Sequence, residues 1–219
     1  MMFISILSLP NLLNYNFKSL RTGAIGASPC PKEVMKKIIN ILNIKEITIV
    51  YGMTETSPIS FQTNIGDDVD LQVSTVGNIN PHIEAKVIDS NKNFILDRGK
   101  PGELCIKGYS VMKEYWKNKT ETKKAIDKDG WMHTGDLVLM RDDGYLEIVG
   151  RIKDTIIKGG ENIYPREVEE FLIKIDQIEQ AYVFGVPDKT YGEIIGCWVK
   201  LEKNKIISEI EIKNKCKNK

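Results

Sequence analysis

The run Ile47-Thr48-Ile49-Val50, opening directly into Tyr51-Gly52-Met53-Thr54-Glu55-Thr56, constrains the fold of this chain more than any other stretch. Apolar and β-branched residues in an unbroken row predict a buried strand. Just before it, residues 32–43 carry Val34, Met35, Ile38, Ile39, Ile41 and Leu42 at helical spacing, behind the start signal Pro29-Cys30-Pro31. Helix then buried strand is the grammar of an open α/β sheet, where ligands collect at the carboxyl ends of the strands. A polar Thr/Glu loop at such an end is a site candidate on geometry alone.

From about 75 to 150 the pattern changes to short strands with turns. Glu84–Ile88 is followed by Asp89-Ser90-Asn91-Lys92-Asn93, and Gly102–Lys107 by Gly108. Leu137–Met140 leads into Asp142-Asp143-Gly144 and then Tyr145–Val149. That spacing predicts a small antiparallel barrel or sheet. Gly150-Arg151-Ile152-Lys153-Asp154 reads as a boundary, dividing the chain into 1–150 and 151–219. Beyond it, Pro165 starts a helix with a stripe of Val168, Phe171, Leu172 and Ile175. Strands are expected at Ala181–Val186 and Ile194–Leu201, and Ser208 with Glu211 forms a capping box that opens one more helix. The fold class is thus α/β followed by a small α+β domain. Two strands and one and a half helices cannot cover both faces of a sheet, so this second domain is expected to be truncated.

Bulk properties exclude more than they assign. A chain of 219 residues, 42% hydrophobic and 28% charged, is ordinary globular material. With 31 Lys and Arg against 30 Asp and Glu, there is no electrostatic case for nucleic acid or an anionic membrane surface as partner. Lys36-Lys37 and the tail 213–219 read as solvated lysine faces. Cys30, Cys105, Cys197 and Cys216 show no CxxC pair, and His82 and His133 are the only histidines, so the spacing argues against a structural zinc site and for reduced, idle thiols. No apolar stretch approaches the roughly 20 residues that span a bilayer, and the first ten residues read as an internal helix rather than a signal peptide.

Four stretches carry chemistry: Tyr51-Gly-Met-Thr-Glu55, Gly102-Glu-Leu-Cys-Ile-Lys-Gly108, Trp131-Met-His-Thr-Gly-Asp136, and Gly150-Arg151-x-Lys-Asp154 with Gly159-Gly-Glu-Asn-Ile-Tyr-Pro165. In this order and spacing they resemble the adenylate-forming superfamily of acyl-CoA synthetases, luciferases and peptide-synthetase adenylation domains. The resemblance runs from about Phe3 to Cys216. Arg21-Thr-Gly-Ala-Ile-Gly-Ala-Ser-Pro29 together with Tyr51–Pro58 is most similar to the mitochondrial medium-chain fatty acyl-CoA ligases.

The resemblance implies a carboxylate–CoA ligase that uses ATP, Mg²⁺ and CoA on a medium- or long-chain fatty acid. Residues 1–150 would be the C-terminal part of the large AMP-binding domain, with 75–150 a barrel-like subdomain, and 151–219 the mobile C-terminal domain. Glu55 would hold Mg²⁺, a hard cation suited to a carboxylate, and Thr54 would donate to the α-phosphate. Gly26, Ala27 and Ser28 would line the adenine, and Tyr51, Gly52 and Met53 complete the nucleotide loop. Asp136 would accept from both ribose hydroxyls, with Arg151 a second ribose or phosphate contact. Lys153 would be the hinge between half-reactions, and Gly159 and Gly160 the loop beside the CoA thiol. The bland alternatives are a helix N-cap for Thr54-Glu55, a turn aspartate for Asp136, a boundary arginine for Arg151, and plain turns for Gly26–Ser28 and Gly159-Gly160. Trp131 and His133 read as packing residues.

The family's Ser/Thr/Gly-rich phosphate loop and C-terminal catalytic lysine have no counterpart in this sequence. Two readings follow: a C-terminal fragment of the ligase, inactive by itself, or a non-catalytic nucleotide-binding or interaction remnant of the same fold. A mitochondrial compartment is implied by resemblance, a cytoplasmic one being the alternative.

Overall fold

The computed structural model describes residues 2–90 and 92–217, so Asn91 of the expected turn and the last two residues of the lysine tail lie outside it. The chain forms two compact units, 1–134 with 138–148 and 135–137 with 149–219.

The first unit begins with the expected short helix α1 (Met2–Leu7), then β1 (Thr22–Ile25), α2 (Lys32–Ile41) and β2 (Glu46–Tyr51). After β2 comes a single 3-10 turn, Thr54–Thr56, then β3 (Phe61–Gln62), α3 (Val69–Ser74) and β4 (Asn78–Ile79). These strands form one sheet in the order β1-β2-β3-β4. β1 runs parallel to β2, with Ile25 opposite Ile49, while β3 runs antiparallel to β2. The apolar stripe of α2 buries Met35 and Ile38 against Ile47 and Ile49 of β2, and Phe3, Ile6 and Leu7 of α1 pack on the same cluster. Each such buried side chain is worth about 1.5–3 kcal/mol over an exposed one. Asp68 caps α3, its side chain accepting from Leu71 N at 2.9 Å.

The strand-and-turn region forms a second sheet, β5 (Ile83–Ile88), β6 (Pro101–Gly108), β7 (Met132–Met140) and β8 (Leu146–Arg151), in that order, with α4 (Lys119–Ala125) between β6 and β7. Of the barrel or sheet that the turn spacing allowed, these strands make a sheet. Its core joins Leu104 and Ile106 of β6 to Val138, Leu146 and Phe61. Because side chains alternate along a strand, Glu103 and Cys105 face the other way. β7 starts five residues earlier than the expected Leu137, taking Met132–Asp136 into the strand.

The second unit holds a 3-10 turn, Ile152–Asp154, then β9 (Ile156–Lys158), β10 (Glu161–Ile163), α5 (Pro165–Leu172), β11 (Ile178–Asp188), β12 (Gly192–Leu201) and α6 (Glu209–Lys217). Its sheet has four strands, ordered β10-β9-β12-β11, not the two expected. Leu172 of α5 and the following Ile175 pack on Ala181 and Val183 of β11, with Val168 and Phe171 at the margin. The outer face keeps Tyr182 and Trp198 exposed, the Trp198 ring meeting Phe184 edge-on at 5.2 Å. The capping box at α6 is present: Glu211 Oε2 accepts from Ser208 N at 2.8 Å, and Glu211 N donates back to Ser208 Oγ at 3.3 Å.

Candidate functional site

The parallel pairing of β1 and β2 decides where the first group of candidates meets. Parallel neighbours end on the same side, so the Gly26-Ala27-Ser28 loop after β1 lies beside the Tyr51–Glu55 segment after β2. A Cβ on Gly26 would stand 2.8 Å from Val50 Cγ2 and 3.0 Å from Val50 O, so only glycine lets the two backbones come this close. Ala27 has φ 68, a left-handed conformation that turns the chain sharply away from the strand. Gly52 is more confined still. Its Cβ would lie 2.7 Å from the Pro58 carbonyl carbon and nearer yet to that oxygen.

Glu55 sits in the 3-10 turn, half-buried, and is held from two directions. Tyr115 Oη donates to Glu55 Oε1 at 2.9 Å, and Met112 N donates to the Glu55 carbonyl at 2.8 Å. The bond to Glu55 is the main reason the Tyr115 hydroxyl lies above the usual phenol value, with burial adding to it. The N-cap alternative for Thr54 fails. The residue preceding the turn is Met53, and Thr56 closes it locally, its Oγ1 accepting from Met53 N at 3.3 Å and donating to Met53 O at 3.2 Å. A one-turn 3-10 segment also has too little dipole to explain an acid at its start. Thr54 is left exposed at the loop surface.

The second group lies in the other compact unit. Asp136 is in β7 and not in a turn, which corrects the turn-aspartate alternative; Gly135 before it takes φ 70 and bends the strand. Arg151 Nε lies 3.4 Å from Asp136 Oδ1, the arginine 60% exposed and the aspartate 16%. Such a pair adds little to stability, about 0–1 kcal/mol, but it presents an acceptor and a cation side by side. Lys153 is exposed within the 3-10 turn Ile152–Asp154, which extended residues Arg151 and Thr155 bracket. Gly159 and Gly160 form the two-residue turn between β9 and β10, with φ 61 and 89, the hairpin geometry that needs positive φ at both positions. Gly159 N donates to Tyr191 O at 2.8 Å, fixing that turn to the β11–β12 connection.

Trp131 and His133 are more than packing. The Lys86 ammonium sits 4.3 Å from the centroid of the Trp131 ring, and Lys107 approaches it at 5.6 Å. His133 Nδ1 is 3.1 Å from Glu103 Oε2, and Nε2 is 3.7 Å from Asp127 Oδ2. Burial would raise the Asp127 carboxyl, but amide donation from Trp131 and Asp129 and the Lys86 charge outweigh it and hold it below the usual value.

With this geometry in view, the sequence can be set against known proteins. Residues 1–116 match the family described as AMP-binding enzyme, and 167–219 match the AMP-binding enzyme C-terminal domain. The chain belongs to the AMP-binding enzyme family. It is 48% identical over its whole length to YngI of Bacillus subtilis, a protein named as an acyl-CoA synthetase, and covers 40% of that protein. Mouse ACSF2, named a mitochondrial medium-chain acyl-CoA ligase, is 42% identical over the same span, of which the chain covers 35%. The ATP-bound structure of MatB from Rhodopseudomonas palustris superposes with a TM-score of 0.87 at 29% identity, over 99% of this chain and 42% of that one. The chain therefore spans well under half the length of these members of the family.

Proposed function

We propose that this chain carries the nucleotide, metal and thiol-side elements of a fatty acid–CoA ligase, AMP-forming, acting on medium- or long-chain acids. What supports the reading most is the juxtaposition of the 26–28 and 51–55 loops at the carboxyl ends of two parallel strands, in a chain similar to acyl-CoA synthetases along its length. Gly26 lets the 26–28 loop lie directly against Val50, where any side chain would collide, and this close-set loop is assigned to the adenine ring. Glu55, its carboxylate oriented by Tyr115, is the donor for Mg²⁺, which prefers carboxylate and phosphate oxygens. Bound there, the ion would neutralise charge on the phosphates. Asp136 is assigned to the ribose diol and Arg151 to a neighbouring oxygen. Lys153 is assigned to the pivot, and the Gly159-Gly160 turn to the thiol side, where the absence of side chains leaves room for a pantetheine arm. A mitochondrial location is proposed on the likeness to the mouse ligase, with a cytoplasmic one favoured by the likeness to the Bacillus protein; fractionation of the source cells separates them.

The test is calorimetry on this chain with AMP, ATP and Mg²⁺. Asp136→Asn should weaken AMP and ATP alike, since the lost hydrogen bonds are to a charged acceptor and worth about 1.5–3 kcal/mol each. Glu55→Gln should leave AMP binding unchanged and abolish the gain in ATP affinity from Mg²⁺. Equal losses in both variants would contradict the assignments. Pyrophosphate release on adding fatty acid, measured on a whole acyl-CoA ligase in which these 219 residues replace the matching segment, distinguishes a ligase segment from the alternative, a nucleotide-binding remnant of the fold.

A further inference from the structure

Glu103 and Cys105 stand two residues apart on β6, so both side chains leave the same face of the sheet, and His133 comes to that face from the neighbouring β7. The three offer a carboxylate oxygen, a thiol sulfur and an imidazole nitrogen, all within 4.8 Å of one another. Cys105 Sγ lies 3.6 Å from His133 Nδ1, and Glu103 Oε2 lies 3.1 Å from the same nitrogen. For ligand bonds of about 2.0–2.3 Å in a tetrahedron, donor atoms sit roughly 3.3–3.8 Å apart, so small side-chain rotations suffice to bring these three to the spacing an ion imposes.

We propose that Glu103, Cys105 and His133 form a binding site for a thiophilic divalent cation of the Zn²⁺ type, with Asp127 as the carboxylate that orients the histidine. The donor set excludes Mg²⁺ and Ca²⁺, which take oxygen ligands alone, so the site is chemically distinct from any phosphate-linked ion at Glu55. Asp127 Oδ2 lies 3.7 Å from the ring nitrogen opposite the cluster, so once an ion takes Nδ1 a small rotation lets Nε2 donate its proton to that carboxylate, the usual carboxylate–histidine–metal arrangement. The Cys105 side chain is buried, whereas Glu103 and His133 keep 12% and 25% of their surfaces in solvent. On binding, the thiol proton leaves to water and a metal–sulfur bond replaces it. Three protein ligands leave a fourth position for water. Before an ion binds, Glu103 and Asp127 face the Lys86 and Lys107 ammonium groups held near Trp131, and burial, with Glu103 beside it, keeps the Cys105 thiol protonated, its pKa pushed up to about 12, so only an ion with a strong preference for sulfur can displace that proton. Spacing along the sequence hides the site, because His133 lies 28 and 30 residues from its partners.

Cobalt is the probe. Chelator-treated chain titrated with Co²⁺ should develop a near-ultraviolet thiolate-to-cobalt band and tetrahedral visible bands at one equivalent, and Zn²⁺ should displace both. Cys105→Ala should abolish the near-ultraviolet band and weaken binding at least tenfold. Glu103→Gln, which preserves shape, should weaken it by a similar factor, and Asp127→Asn by about 10–100-fold, with circular dichroism confirming folding in each. Replacing the two thiols of the second unit, Cys197→Ser with Cys216→Ser, should change neither band, and neither should Cys30→Ala. A titration without the thiolate band in the parent, or a band that survives Cys105→Ala or vanishes with the Cys30 change or the Cys197 and Cys216 changes, overturns the site.

Discussion

Replacing Gly52 by alanine adds one methyl group at the most confined point of the nucleotide loop. The new Cβ would lie 2.7 Å from the Pro58 carbonyl carbon and 3.0 Å from Ile59 Cα. Carbon atoms rest about 3.5 Å apart or more, so the carbonyl carbon alone demands a retreat of about 0.8 Å, and the Pro58 oxygen, closer still, demands more. It is poorly placed to do so. Ser60 N donates to Tyr51 O at 2.8 Å, Asn80 N donates to Ser60 O at 2.9 Å, and the next residue, Phe61, is wholly buried in the core of the second sheet. Overpacking costs about 1–3 kcal/mol. Losing the Ser60–Tyr51 bond adds about 0.5–1.5 kcal/mol. The expected destabilisation is about 2–4 kcal/mol, a fall in melting temperature of about 4–16 °C for a domain of this size. Gly150→Ala is the control: a Cβ there meets nothing within 4 Å, and its φ is not left-handed, so the midpoint should move by less than about 0.5 kcal/mol. Denaturant unfolding of both variants, with hydrogen exchange over 53–60, reads the difference. A Gly52→Ala protein with the parent's midpoint and protection would refute the argument from backbone confinement.

Phe61→Ala empties a fully buried site between the two sheets of the first unit and should cost about 3–5 kcal/mol in the same unfolding assay. Asp188 Oδ1 accepts from Thr190 N and Tyr191 N, both at 2.8 Å, and these amides hold its carboxyl below the usual value. Its contribution is therefore present above the unfolded pKa and lost as pH falls through the lower folded one; Asp188→Ala should remove that acid-side loss, measured as the difference between the two pH–stability curves. Placed in a whole acyl-CoA ligase, Lys153→Pro should depress thioester formation far more than ATP–pyrophosphate exchange, and Lys153→Ala should be much milder; parallel losses in single-turnover assays would end the pivot assignment.

Elements with long unbroken signals were legible in the sequence. Ile47–Val50, the α2 stripe and the Ser208–Glu211 box each needed only local pattern, and each is present. Short elements were not. β9 and β10 have three residues apiece, too few for a period, and are held by the turn between them and by β12. The first half of β7 was hidden because His133, Thr134 and Gly135 lack the apolar alternation that marks a strand, which kept a turn open as the alternative for Asp136. Within the candidate site, local motifs indicated the residues but not their partners. Tyr115 meets Glu55 across 60 residues, and no window reading connects them. His133 seemed solitary for the same reason, since its carboxylate and thiol neighbours come from an adjacent strand and from the segment ahead of β7.

The lysine pair over Trp131 gives the molecule a built-in optical reporter. Of the three tryptophans, Trp116 and Trp198 are 82% and 72% exposed, while Trp131 is partly shielded and has an ammonium group 4.3 Å from its ring centre. Caesium ions in solution will collisionally quench the open Trp198 most, Trp116 less because the Lys117 ammonium lies 5.7 Å from its ring, and the shielded Trp131 least. The emission that survives the highest caesium concentration is dominated by Trp131, two residues from His133. Its wavelength follows the local field, so a change of charge on that face of the sheet can be read without any label.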